Sequence, residues 1–318
     1  MTAIEVRDLR KLYGPNEAVA GVSLSIAEGE VYGLLGHNGA GKSTTVEILE
    51  GHRTRTSGDV SVIGMDPADA GRELRDRIGI VLQTSAVEKE LTVREALAFY
   101  GSCYRRRRPV DDVIEMIDLA DKLDARIGTL SGGQRRRLDL GLGIIGDPDV
   151  LFLDEPTTGF DPVARRQSWQ LVQRLCEGGT TVLLTTHYLD EAEHLADRVG
   201  VLTAGRLVAE GTPDELMAAT PDTTISFELP AGVEPGALSI PADAGFDGPT
   251  VRIETSRPTS VLAEITGAAA ARGIELAGLS VRRPSLEDVF LALGNHHGDQ
   301  HGDQHGDSAG DGASEVGA

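Results

Sequence analysis

Apolar residues fall along this chain in short blocks whose spacing changes several times. Residues 4–9 alternate apolar with polar positions and predict an edge strand. A turn is marked at Gly14-Pro15-Asn16, and residues 22–26 alternate again, so the N-terminal region predicts antiparallel β structure. Residues 31–35 are instead one unbroken apolar run, which suits a strand buried on both faces. Residues 57–62 and 78–82 predict further strands. Over 91–103 and 110–123 the spacing becomes helical, with Val113, Ile114, Ile117 and Leu119 on one side. Thr92 and Glu95 have the spacing of a capping box at the first of these helices. Strand-like runs return at 150–155 and 180–186, and residues 199–202 and 206–208 predict a hairpin around Ala204-Gly205. A short helix over 214–219 closes this region.

After residue 220 the blocks shorten. Strands are predicted at 223–229, 250–254 and 274–281, and helices at 260–272, ended by Gly273, and at 286–293. The expected organisation is a large α/β body over 1–220 and a small α+β domain over 221–294. From Asn295 the repeat HHGDQHGDQHGD carries no apolar residue, and 295–318 reads as a disordered tail. Its histidines offer metal ligands, but a solvated tail is the simpler reading.

Composition narrows the function classes. The chain has 318 residues and 40% hydrophobic residues, enough for the two cores just described. A net charge of −20 argues against a nucleic-acid surface, which needs a basic stripe, and favours a soluble cytoplasmic body. Cys103 and Cys176 lie far apart without metal-site spacing and read as reduced structural thiols. The N-terminus lacks an apolar signal core, and no run approaches the ~20 apolar residues of a spanning helix. Work at a membrane would therefore need another chain to do the spanning.

Chemistry concentrates at Gly36–Thr44, read as GHNGAGKST, which fits the phosphate-binding pattern G-x-x-x-x-G-K-[ST] between a strand and a helix. Gly36, Gly39 and Gly41 leave backbone N–H groups free to face phosphate oxygens, and the following helix adds its positive end. Lys42 supplies a cation for the β- and γ-phosphates, and Ser43 a hydroxyl for Mg²⁺. The 150–155 run ends in Asp154 and Glu155, one carboxylate suited to a metal shell and the next to polarising water. Other residues keep two readings. Tyr13 is a half-buried strand-end aromatic or a stacking platform for a base. Gln83 is a polar cap or a carbonyl ligand for a metal, and His187 a structural strand-end histidine or a catalyst. Ser131-Gly132-Gly133 is a glycine-rich N-cap or an anion cradle. Arg105–Arg108 is a solvated charge run or a contact to a partner or anionic headgroups.

Taken in order, Tyr13, GHNGAGKST, Gln83, the LSGGQ of Leu130–Gln134, the VLFLDE ending in Glu155, and His187 resemble the ATP-binding subunit of an ATP-binding-cassette (ABC) transporter over residues 3–218. LSGGQ discriminates, because other phosphate-loop families lack it. The resemblance implies a phosphate-loop NTPase cassette: a RecA-like core with an antiparallel β region and a helical signature subdomain, here with the C-terminal α+β domain appended. It implies ATP and Mg²⁺ as ligands. ATP would be held by Tyr13, Val19, Gly36, His37, Asn38, Gly39, Ala40, Gly41, Lys42, Ser43 and Thr44. Ser131, Gly132, Gly133, Gln134 and Asp161 would serve from a second, head-to-tail cassette. Ser43, Gln83 and Asp154 would hold the metal, Glu155 would be the general base, His187 the γ-phosphate switch and Lys42 a catalytic cation. Two departures stand out: Phe160 where the family usually has leucine, and His37 where proline is more usual, its side chain expected to point outward.

TTHYLDEAEHLADRV after residue 184 and PSLEDVF at 284–290 look like the drug-exporter branch, which includes the daunorubicin/doxorubicin resistance ATP-binding proteins. That likeness implies an energy-coupling ATPase for export of drugs or other hydrophobic compounds, at the cytoplasmic face of the membrane through a separate permease chain. A complete residue set for two sites favours a homodimer. The alternatives are another transported substrate (a lipid, a polysaccharide or an import substrate) and a non-transport cassette acting on ribosomes or DNA. The single cassette, the lack of a coiled-coil insertion and the −20 charge weigh against the non-transport reading.

Overall fold

The computed structural model describes residues 1–82, 87–157, 159–186, 188–218, 223–282 and 284–290. The N-terminal alternation becomes β1 (Thr2–Tyr13) and β2 (Asn16–Ala27), antiparallel and joined at Gly14-Pro15. β3 (Val31–Gly36) leads through the glycine loop into α1 (Lys42–Leu49). β4 (Ser57–Val62) then returns to pair with β1, completing a three-stranded antiparallel sheet in the order β2-β1-β4. β1 outruns the predicted strand because it bulges at Asp8, where φ is +46°, and continues beyond.

The chain continues through α2 (Gly71–Arg75), β5 (Ile78–Val81), α3 (Val93–Gly101), α4 (Val110–Met116) and α5 (Gly132–Ile144). It then forms β6 (Val150–Asp154), α6 (Pro162–Glu177), β7 (Thr181–Thr186) and α7 (Leu189–Leu195), and ends this body with β8 (Arg198–Thr203), β9 (Arg206–Gly211) and α8 (Pro213–Ala218). The strands form a six-stranded sheet ordered β5-β6-β7-β3-β8-β9, parallel except for β9. β3 and β7 are buried at every position. Side chains of β3, β6 and β7 alternate between two cores: Val31, Leu151, Val182 and Leu184 face the helices α3–α6, while Tyr32, Phe152 and Leu183 face the antiparallel sheet. Burial on both faces is why these strands read as unbroken apolar runs.

Helix ends depart from the periodicity. The helix expected over 110–123 stops at Met116, because Asp118 takes a left-handed φ of +52° and a 3₁₀ turn follows at Ala120–Lys122. Thr92 and Glu95 do make the reciprocal capping box of α3. α6 was not anticipated, although Asp161 at its N-cap and Pro162 in its first turn are ordinary start signals. The arginine run lies in an ion-pair network, Arg105 with Asp76, Arg106 with Asp147 and Asp149, and Arg108 with Asp147. These carboxylates account for three of the run's four charges without an outside partner. The half-buried Cys176 thiol is pushed up to about 12 by burial, as suits an inert structural thiol.

The C-terminal unit is a separate antiparallel sheet of β10 (Thr223–Glu228), β11 (Gly245–Asp247), β12 (Thr250–Thr255) and β13 (Ser280–Arg282), ordered β11-β12-β10-β13. α9 (Pro258–Ala270) covers one face, packing Ile265 and Ala269 on Ile225, Phe227, Val251 and Ile253. The strand expected over 274–281 is reduced to Ser280–Arg282, behind Gly278 at φ +65°. The helical residues 286–290 leave this unit and return to the first body. There Leu286 and Val289 bury against Leu35, Ala192, Val199, Val201 and Leu216, and the Leu286 N–H donates to Glu193 Oε1 at 2.7 Å. Residues 291–318, including the repeat, lie outside the described residues. Among the described residues no helix is long and apolar enough to cross a membrane.

Candidate active site

The carboxyl ends of β3, β6 and β7 bring the candidate residues to one edge of the sheet, where open α/β folds bind ligands. A cleft of about 810 Å³ opens there, and Tyr13, Gly36, His37, Asn38, Gly39, Gly41, Lys42, Ser43, Thr44, Asp154 and Glu155 line it together with Asn16 and Ala18. Two glycines are required by contact. A Cβ on Gly36 would stand 2.6 Å from the Leu202 carbonyl oxygen, and one on Gly41, at φ +105°, 2.5 Å from that of Ala18. No side chain caps α1, so the N–H groups of its first turn are left to whatever enters the cleft.

Lys42 is nearly buried and its Nζ donates to the carbonyls of Gly36 and His37, the latter at 3.2 Å. Burial draws its pKa down, and the carboxylates of Glu155 and Asp154 oppose that shift. Asp154 accepts a hydrogen bond from Thr185 Oγ1 of β7. Glu155 follows with a left-handed φ of +48°, its N–H donating to the Thr185 carbonyl at 3.0 Å. Ser43 and Asp154 offer a hydroxyl and a carboxylate in the same cleft, a donor set that fits Mg²⁺.

Tyr13 is 39% exposed at the cleft rim, with Lys11 Nζ 5.1 Å and Arg53 Cζ 5.4 Å from its ring centroid. Val19 does not line the cleft: it is fully buried in the core, because adjacent strand residues face opposite sides and Ala18 takes the outward place. Ala40 is likewise buried beneath the loop. Asn16 was missed, although its position just past the turn, paired with Tyr13, carries the signal. His37 is exposed, as expected.

Ser131 caps α5 through a capping box with Gln134 and, with Gly132, is exposed. Ser131, Gly132, Gly133 and Gln134 do not line the cleft of their own chain. Nor does Asp161, whose carboxylate accepts the N–H groups of Val163 and Ala164 at 2.9 Å each. Gln83 and His187 lie outside the described residues.

Residues 19–158 match the family model for the ABC transporter, and residues 223–285 that for the ABC transporter domain-containing protein-like C-terminal domain. The daunorubicin resistance ATP-binding protein of Streptomyces coeruleorubidus is 42% identical, covering 92% of this chain and 96% of its own. The Nod factor export ATP-binding protein I of Rhizobium meliloti (strain 1021) is 41% identical, covering 92% and 88%. Among solved structures, an ATP-binding subunit of an ABC transporter matches with a TM-score of 0.62 at 28% identity over 68% of this chain and 92% of that one. A dimeric cassette in a post-hydrolysis state, bound to ADP and phosphate, matches at 0.60 and 26% over 66% and 98%.

Proposed function

Because the chain belongs to the ABC transporter ATP-binding family, we propose that it is the energy-coupling ATPase of an exporter for drugs or other hydrophobic compounds. It is an ATPase that binds ATP with Mg²⁺, dimerises and acts within a transporter complex. One observation carries the site reading: Lys42, Ser43, Asp154 and Glu155 share a single cleft with the uncapped start of α1.

In this reading the loop amides and Lys42 hold the phosphates and Tyr13 stacks on the adenine. Mg²⁺, held by Ser43, Asp154 and Gln83, would neutralise charge on the β- and γ-phosphates. Glu155 takes a proton from water as its oxygen attacks the γ-phosphorus; the bond to the bridging oxygen breaks, and ADP leaves with the electron pair. His187 contacts the γ-phosphate. Ser131–Gln134 and Asp161 of a second copy close the open face, consistent with the exposure of Ser131 and Gly132 in the single chain. Residues 1–220 act as the nucleotide-binding domain, 221–294 as an accessory domain and 295–318 as a solvated tail. A separate permease holds the assembly at the cytoplasmic face. A second reading keeps the mechanism and changes the cargo, favoured by the relative whose name states Nod factor export.

Glu155→Gln should abolish steady-state hydrolysis while ATP affinity stays within a few-fold of wild type. Hydrolysis at the wild-type rate in that variant would remove Glu155 as the base.

A further inference from the structure

Arg136 lies two positions beyond Gln134 on α5, and its side chain is almost fully buried. Its guanidinium reaches two other stretches of chain. Nε donates to the Pro156 carbonyl at 3.0 Å, and one terminal nitrogen donates to those of Asp154 and Glu155 at 2.9 Å each. The other terminal nitrogen donates to the Leu82 carbonyl, immediately before Gln83. One buried cation thus joins the helix that Ser131 caps, the turn that carries both site carboxylates, and the strand end preceding a candidate metal ligand.

The backbone explains why so many carbonyls converge. Glu155 is a non-glycine residue at φ +48°, a strained conformation that curls the chain at the end of β6. β7 holds the turn from one side, through the Glu155 N–H on the Thr185 carbonyl. Arg136 holds it from the other, through three successive carbonyls. Buried carbonyls need donors, and only a planar fork with five N–H groups serves this many at once; an ammonium has three donors at one point.

We propose that Arg136 is a positioning residue for hydrolysis: it holds the left-handed turn that aims Glu155 into the cleft and ties that aim to the placement of the signature helix. The inference rests on Glu155 being the general base. Arg136 meets this turn at three backbone carbonyls, with its charge near the Asp154 and Glu155 carboxylates, and acts on the reaction through the orientation of Glu155. A partner nucleotide pressing on the Ser131 end of α5 would bear, through the same guanidinium, on the base in its own chain.

The test uses the full-length chain, with Arg136→Met and Arg136→Lys each made alone and in a Glu155→Gln background. Single-turnover hydrolysis of radiolabelled ATP and equilibrium binding of a fluorescent ATP analogue are measured for all. Arg136→Met should lower the hydrolysis rate about 10²-fold, as expected when a catalytic group is misplaced by about 1 Å, with nucleotide affinity changed less than about twofold. Arg136→Lys should recover part of that loss. On top of Glu155→Gln, Arg136→Met should change the residual rate less than about twofold, because groups acting as a unit are not additive. Hydrolysis by Arg136→Met within about twofold of wild type overturns the inference. So does a loss that multiplies fully with Glu155→Gln, or one that tracks a matching loss of nucleotide affinity. Should Arg136→Met fail to fold, Arg136→Lys decides: about tenfold slower hydrolysis with unchanged affinity supports the inference, and a wild-type rate overturns it. Wild-type hydrolysis by Glu155→Gln would instead strike the base assignment, whereas an inactive Glu155→Gln beside an unaffected Arg136→Met strikes the Arg136 inference alone.

Discussion

Glu50 closes the helix that Lys42 opens, with its carboxyl 4% exposed and His52 Nδ1 3.2 Å away. Burial, with Asp154 and Glu47 nearby, pushes its pKa up to about 8 from 4.5. The folded chain then keeps a proton that the unfolded chain has released above pH 4.5, so stability from this group is full below that value and is lost as pH rises through about 8. Glu50→Gln should therefore melt close to wild type at pH 5 and several degrees above it by pH 8, read from thermal melts across that range. A gap that stays constant with pH would contradict the assigned cause. Residue types at the site were legible because the chemistry restricts them: phosphate asks for glycine, lysine and a hydroxyl, and the metal for a strand-end carboxylate. Residue facing was less legible. Val19 and Ala18 differ by one position on β2, and only the fold shows which of them meets the cleft.

At the scale of elements, α5 approaches β5 so closely that neither side has room for a methyl group. A Cβ on Gly79 would lie 2.1 Å from the Gly143 carbonyl oxygen, and one on Gly143 2.5 Å from Val81 Cγ2. The first contact is with backbone and the second with the end of a side chain, so Gly79 is the less forgiving site. Gly79→Ala should cost about 1–3 kcal/mol in denaturant unfolding, more than Gly143→Ala. An equal or reversed order would show that the helix shifts freely. β3, β6 and β7 were legible as buried runs, because helices and a second sheet cover both their faces. α4 was overrun because apolar spacing continues past Met116, while the stop comes from the left-handed backbone at Asp118. Such a conformation leaves no periodic trace.

Across the whole molecule, the chain leaves the first body after α8, builds the small sheet, and comes back at residues 286–290. Leu286 then fills a core made by β3, α7, β8 and α8, about 70–250 residues earlier in the chain. Leu286→Ala should cost about 2–4 kcal/mol of stability, seen as a lower melting temperature of the full chain. A melt unchanged by that variant would mean that these residues do not hold the two parts together. The phosphate loop, the carboxylate pair, the signature cap and the buried strands β3, β6 and β7 could be read from the sequence alone. Each of these rests on local chemistry: which residue admits a phosphate, caps a helix or suits a strand buried on both faces. The folded chain was needed to show that Arg136 donates to the carbonyls of Leu82, Asp154, Glu155 and Pro156, and that 286–290 docks on the first body. Those contacts join positions from 18 to 54 residues apart around Arg136, and farther still around Leu286. They depend on where the sheet order and a strained turn bring the chain together, which no local spacing of residues encodes.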